Sequence, residues 1–177
     1  MNFRISGKSP AQAGLFFGLV LTADGSRLIQ SRMDEIIRYR HCFVCGDQNR
    51  HGLKARFYYD GRQAVSEVTA EEDFEGYRGI YHGGIITALL DEVMIKAILA
   101  LGICAVTAEM NVKFTRPVRT GEKLRLAGSI RSSKGRLYIT EGTAVNEAGN
   151  ICATAGGKYL EAGPQLGATL TESICRD

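Results

Sequence analysis

Between residues 54 and 162 one run of helical period stands among segments that otherwise repeat every second residue, and that contrast limits the fold more than any other feature. The run opens at Gly83-Gly84 and continues through "IITALLDEVMIKAIL", about 17 residues, with a broad apolar stripe. With Ile86 at zero and about 100° per residue, Leu89, Leu90, Val93, Met94 and Ala97 fall within about 80° of it. Before the run, "KARFYY" and "QAVSEVTA" flank Asp60-Gly61, a dipeptide suited to the positive φ of a tight hairpin turn. After it, "AVTAEMNVKFT" sets Val106, Ala108, Met110, Val112 and Phe114 against Thr107, Glu109, Asn111, Lys113 and Thr115, which predicts a long half-buried strand. Turn signals at Pro117, Thr120-Gly121, 132–135 and 147–150 then separate "EKLRLAGSIRS", "RLYITEGTAV" and "ICATAGGKYLEA". Strands joined by tight turns pair antiparallel, and one helix covers one face of a sheet. The chain therefore reads as α+β in the order β-β-α-β-β-β-β, a curved antiparallel sheet wrapped around one central helix.

No repeat or linker interrupts residues 40–162, so the expectation is one domain there, with an N-terminal extension (1–39) and a loosely held C-terminal tail (163–177). Within the extension, "SRLIQSRMDEIIRYR" places Leu28, Ile29, Met33, Ile36 and Ile37 on one helical face and predicts a short amphipathic helix. The apolar run at 13–23 falls well short of the roughly 20 residues that span a bilayer, and Leu21-Thr22-Ala23 lacks the small residue that signal cleavage needs at that place. No membrane span and no secretion are expected. A net charge of +3, with Lys and Arg scattered along the 177 residues, gives no nucleic-acid footprint. Five dispersed cysteines, an odd number, suit reduced thiols and a cytoplasmic location rather than a disulfide framework.

The helical run carries two adjacent acids with different surroundings. Glu92 and Lys96 fall together at about 240–280°, with Glu four residues before Lys, the order favoured for a solvent-exposed pair. Asp91, at about 140°, stands instead among Thr87, Met94, Ile95 and Ile98. It is either a carboxylate hydrogen-bonded to neighbouring backbone at the edge of the core, or one facing a pocket. At the start of the run, Gly83 and Gly84 leave unpaired N–H groups at the positive end of the helix dipole, open to a ligand oxygen. His82 just ahead either caps the helix or holds that ligand. The stretch lacks the further glycines of a dinucleotide fingerprint and the Lys-Ser/Thr of a phosphate loop. An N–H donor at Gly83, a polar neighbour and a carboxylate two turns on together form a hydrolytic set: an oxyanion site and a group to activate water.

"HGGIITALLDE" after "FEGYRGIY", followed by "TAEMNVKFTRPV", resembles the hotdog-fold acyl-CoA thioesterases of the phenylacetate-pathway type and their thioesterase-superfamily relatives. The likeness covers roughly residues 40–160, and "CFVCGDQNRHGL" is similar to a leader found in some members. The resemblance implies that the thioester carbonyl lies against the Gly83 N–H with His82 positioning it, next to Gly84 and Thr87. It implies that Asp91 acts as general base or nucleophile, and that Thr107 helps hold the water. Where some relatives carry an Asn several residues before the His, this chain reads Gly76-Tyr77-Arg78-Gly79. The resemblance further implies a homodimer or homotetramer, with His82 and Gly83 of one subunit facing Asp91 of another. Coenzyme A, part of the substrate rather than a cofactor, is anionic, so Arg116, Arg119, Lys134 and Arg136 are candidate contacts. The expected activity is acyl-CoA thioester hydrolysis. The rivals are a 3-hydroxyacyl-thioester dehydratase and a non-catalytic acyl-CoA-binding protein.

Cys42-x-x-Cys45, with His41 and His51 nearby, has zinc-type ligands but no second paired element downstream. A redox pair would call for a following helix, and "GDQNRHGL" is loop-like. The expectation is buried free thiols packing a loop against the sheet, no metal, and a loop that lines the acyl pocket.

Overall fold

The run of helical period becomes one uninterrupted helix, and the period-two segments after it become long strands. The computed structural model describes residues 33–174. In chain order the elements are β1 (Asp34–Glu35), β2 (Tyr58–Tyr59), β3 (Ala64–Thr69), a 3₁₀ turn (Glu72–Phe74), β4 (Glu75–Tyr77), β5 (Ile80–Tyr81), α1 (Gly83–Leu99), β6 (Ala105–Phe114), β7 (Lys123–Lys134), β8 (Leu137–Asn146), β9 (Ile151–Glu161) and α2 (Pro164–Glu172). Seven strands form one sheet in the order β1-β2-β3-β7-β8-β9-β6, and β4-β5 is a separate hairpin. All the pairings are antiparallel. The α+β expectation holds. None of the described helices is long and apolar enough to cross a membrane.

Helix α1 lies on the inner face of the sheet, and the stripe read from the sequence is its contact surface: Ile86, Leu89, Leu90, Val93, Met94 and Ala97 are all buried. Each large member contributes about 1.5–3 kcal/mol of apolar burial. The approach is close because Gly128 and Gly142 face each other across β7 and β8. A Cβ on Gly128 would stand 2.5 Å from the Val93 carbonyl oxygen, and one on Gly142 3.0 Å from Met94 Cγ. The bare patch fixes where the helix sits, and so where its acids point.

Strand β6 is an edge strand, which departs from the half-buried expectation. Thr107, Ala108, Glu109, Asn111, Lys113 and Phe114 are exposed, and only Val106, Met110 and Val112 stay half-buried. The register with β9 shifts between Thr107 and Glu109, a bulge that turns Ala108 out of the alternation.

The ends also differ from expectation. Of the amphipathic helix predicted across residues 26–40, residues 26–32 lie outside those described, and Asp34–Glu35 form β1, paired with β2. The Ile36 N–H donates to the Phe57 carbonyl (2.9 Å) and Ile36 is buried, so pairing with the sheet overrides the local helical pattern. The tail is structured as far as Ile174: α2 is followed by a bridge from Ile174 to Tyr39, and Arg40 N–H donates to the Ser173 carbonyl (3.1 Å). The strand expected over "KARFYY" is reduced to Tyr58–Tyr59 because Leu53 and Ala55 give their N–H groups to Phe43 and Val44 in the preceding loop.

Candidate functional site

The sequence places Asp91 off the buried stripe, and the fold supplies two partners that explain why. Thr107 Oγ1 donates to Asp91 Oδ1 at 2.9 Å, and the Tyr159 hydroxyl donates to the same oxygen at 2.8 Å. The Tyr159 hydroxyl also stands 3.2 Å from the Asp91 carbonyl oxygen. Among the described residues no donor reaches Oδ2. Tyr159 is fully buried, and burial, followed by the neighbouring Asp91 charge, pushes its hydroxyl far above the ordinary tyrosine value, so it stays a neutral donor. Thr107 is exposed on the edge strand. One carboxylate oxygen is thus clamped and the other is free for water, on a half-buried residue at the rim of the sheet.

Tyr159 is absent from the sequence reading. Its signal was the alternation of β9, where Ala153, Ala155, Gly157 and Tyr159 point inward. A tyrosine on a buried face needs a partner for its hydroxyl. Gly157 makes room for it: a Cβ there would lie 2.5 Å from Tyr159 Cε2.

The start of α1 forms the second half of the site. His82 is the N-cap, with Nδ1 accepting from the Gly84 N–H at 2.8 Å. The cap role is therefore observed, and it uses up the Gly84 N–H. Thr87 Oγ1 donates back to the Gly83 carbonyl at 3.0 Å. The Gly83 N–H has no acceptor among the described residues and opens on a cleft of about 600 Å³ lined by Tyr77, Ile80, His82, Gly83, Phe114 and Arg116, with others. The walls are largely apolar, with Arg116 the one cation among them.

The remaining basic candidates separate. Arg119 sits beside the cleft, bridged through its backbone to Ile80. Lys134 and Arg136 lie at the β7–β8 turn, level with Val106 through Leu137 and Leu160. Eight residues along β6 from Val106 to Phe114 amount to roughly 27 Å. Within one chain, neither residue approaches the cleft, and Arg136 is engaged with the Glu161 carbonyl at 2.6 Å. Gly83 and Asp91 are themselves eight helical residues apart, about 12 Å, and do not converge on one point.

Two expectations fail on the other side of α1. Glu92 and Lys96 are not a solvent-exposed pair: Lys96 is 0% exposed and its Nζ lies 3.3 Å from Glu92 Oε1. The polar sector of the helix faces a second packed layer, the 39–57 loop, rather than water. That loop carries Cys42 and Cys45 against α1 and is not part of the cleft at the helix start. The four cysteines described, Cys42, Cys45, Cys104 and Cys152, are free thiols, of which Cys45 and Cys152 are buried. His41 and His51 are exposed and stand apart from the two sulfurs.

A long helix held in the curl of an antiparallel sheet defines the hotdog fold. The model of the thioesterase superfamily matches residues 78–153, which takes in most of the cleft, Asp91 and Thr107, and the match together with the structural neighbours supports a hotdog thioesterase family. A crystal structure of a thioesterase superfamily protein is similar with a TM-score of 0.65 and 28% identity, over 69% of this chain and 61% of that one. The Escherichia coli PaaI protein of the phenylacetic acid degradation operon shares the fold (TM-score 0.60, 23% identity, 63% of this chain and 81% of that one). Human acyl-coenzyme A thioesterase 13 is 25% identical over 88 residues, 49% of this chain. The match spans 63% of that relative's length.

Proposed function

We propose that this protein hydrolyses acyl-CoA thioesters, with Asp91 as the carboxylate that acts on water or on the carbonyl. The observation that carries the reading is the Asp91 carboxylate itself, with Oδ1 fixed by Tyr159 and Thr107 and Oδ2 without a donor among the described residues. In the general-base form, Oδ2 takes a proton from water as the water oxygen bonds to the thioester carbon, and the carbonyl then re-forms as the C–S bond breaks, the departing sulfur taking the proton held by Asp91 and leaving as the CoA thiol. The negative charge developing on the carbonyl oxygen is met by the Gly83 N–H at the positive end of α1. Acyl-coenzyme A as the substrate class rests on the human relative's name and on Arg116 in the lining of the cleft.

The roughly 12 Å between Gly83 and Asp91 favours a site completed by two copies. Strand β6 offers an exposed edge of ten residues. If two copies pair antiparallel about the middle of β6, Phe114 of one falls opposite Ala105 of the other. This brings one copy's Gly83, which lies against Phe114, toward the other's Thr107 and Asp91. The same pairing carries Lys134 and Arg136 toward the second copy's cleft. A homodimer, or a homotetramer made of two such dimers, is therefore part of the reading, with no cofactor besides the CoA of the substrate and a reducing, cytoplasmic setting for its free thiols.

The test is thiol release from a panel of aromatic and aliphatic acyl-CoAs by the wild type and Asp91→Asn. General-base loss is worth about 10²–10⁴ in rate, so Asp91→Asn should lose at least about 100-fold while remaining folded. Retained turnover would refute the assignment. Tight acyl-CoA binding by the wild type without thiol release would make the protein a binder, and an enoyl product would make it a dehydratase.

A further inference from the structure

On the side of α1 away from Asp91 lies a buried polar cluster for which the proposed hydrolysis has no use. The chain turns tightly at Cys42: Cys42 N–H donates to the Tyr39 carbonyl (3.1 Å) and Gly46 N–H to the Cys42 carbonyl (3.0 Å). Val44 N–H points at Cys42 Sγ (3.3 Å). The turn presses both sulfurs onto the helix, where Cys42 Sγ stands 3.7 Å from Glu92 Oε2. The other carboxylate oxygen, Oε1, is held by Lys96 at 3.3 Å. Lys96 in turn donates to the Ile37 carbonyl and lies 5.3 Å from the centre of the Tyr39 ring and 6.0 Å from that of Phe57.

We propose that Cys42, Cys45 and Glu92 form a binding site for one thiophilic divalent cation of the zinc type, tying the 39–57 loop to α1. The three ligand atoms lie within 4.8 Å of one another. A tetrahedral ion with Zn–S near 2.3 Å and Zn–O near 2.1 Å sets a sulfur and an oxygen ligand about 3.6 Å apart, against the 3.7 Å found between Cys42 and Glu92. The amide aimed at Cys42 Sγ favours a thiolate there. Lys96 acts as the outer group that orients a ligating carboxylate, leaving Oε2 turned toward the sulfurs.

The charges balance as well. Two thiolates and one carboxylate carry −3 and Lys96 carries +1, leaving −2 for a divalent ion to neutralise. Without an ion, the cluster has to hold protons instead. Binding therefore exchanges protons for the metal. Cys42 is half-buried, which leaves an approach for water as the fourth ligand. The acid-bearing α1 and the cysteine loop are far apart in sequence, so the ion stabilises the native state by its binding free energy.

The test is metal content of the whole chain purified under reducing conditions without chelator, followed by titration with Zn²⁺ and Co²⁺. The expected result is one metal per chain, with a thiolate-to-cobalt absorption of two-sulfur intensity. In the double variant Cys42→Ser/Cys45→Ser, which keeps Cys104, Cys152 and Cys175, both signals should vanish. Glu92→Gln should weaken affinity at least about tenfold. Folded, reduced wild type that takes up no stoichiometric Zn²⁺ or Co²⁺ overturns the proposal. So does one equivalent retained by the double variant, and so does a chain that binds no metal but forms a Cys42–Cys45 disulfide under mild peroxide.

Discussion

Replacing Tyr159 by Phe deletes one oxygen atom and isolates what holds Asp91 in place. That hydroxyl lies 2.8 Å from Asp91 Oδ1 on a ring that is 0% exposed, so no solvent molecule can take its position. A hydrogen bond to a charged group is worth about 1.5–3 kcal/mol. At about 1.4 kcal/mol per tenfold, losing it from a carboxylate that must hold its orientation in the transition state lowers kcat by about 10- to 150-fold. KM should stay nearly constant, because Tyr159 sits behind Asp91 and does not line the cleft. The assay is steady-state thiol release from acyl-CoA, with circular dichroism and thermal unfolding on the same samples; each kcal/mol of lost stability lowers Tm by about 2–4 °C. Thr107→Ala serves as the contrast. Its hydroxyl is exposed, water can substitute for it, and the loss should stay below about tenfold. A folded Tyr159→Phe protein with wild-type kcat, or a larger loss in Thr107→Ala than in Tyr159→Phe, would refute the view that the buried tyrosine positions the acid.

Two further substitutions test the frame around the site. Gly128→Ala places a Cβ 2.5 Å from the Val93 carbonyl oxygen, a backbone atom that moves only with the helix, and should cost about 3 kcal/mol or more in urea unfolding. Gly142→Ala meets the flexible Met94 side chain at 3.0 Å and should cost about 1 kcal/mol; equal costs would mean that the helix does not rest on the Gly128–Gly142 patch. His82→Ala removes the cap on the Gly84 N–H and should lower stability by about 1 kcal/mol, read as a fall in Tm. An unchanged Tm would place the histidine elsewhere in solution.

Local pattern fixed the central helix, the long strands and one of the two key positions. Period two and period 3.6 report which side of a segment meets the core, and they gave strands β6 to β9 and helix α1 with their turns. The helical angle of Asp91 set it apart from the buried stripe, because a carboxylate off the polar sector needs a partner. What the angle did not carry was the partner's identity. Tyr159 comes from a strand 68 residues further along the chain, and only the register of β9 against β6 brings it under the helix.

The same limit explains the errors. Glu92 and Lys96 look like a surface pair when the helix is read alone, since the i,i+4 rule treats the polar side of a helix as facing water. Here a loop from the other end of the domain covers that side, and the pair is sealed in with Cys42 and Cys45. The predicted N-terminal helix gave way to strand pairing for a related reason: at Asp34–Glu35, hydrogen bonds to a neighbouring strand replace those a helix would make within itself. Sequence by itself determined helix α1 and strands β3 and β6 to β9 and singled out Asp91, because each follows from spacing along a few turns of chain. Tertiary structure alone decided which oxygen of Asp91 is held, which face of α1 is covered and which strand forms the edge, because each depends on residues that meet only after the chain has closed on itself.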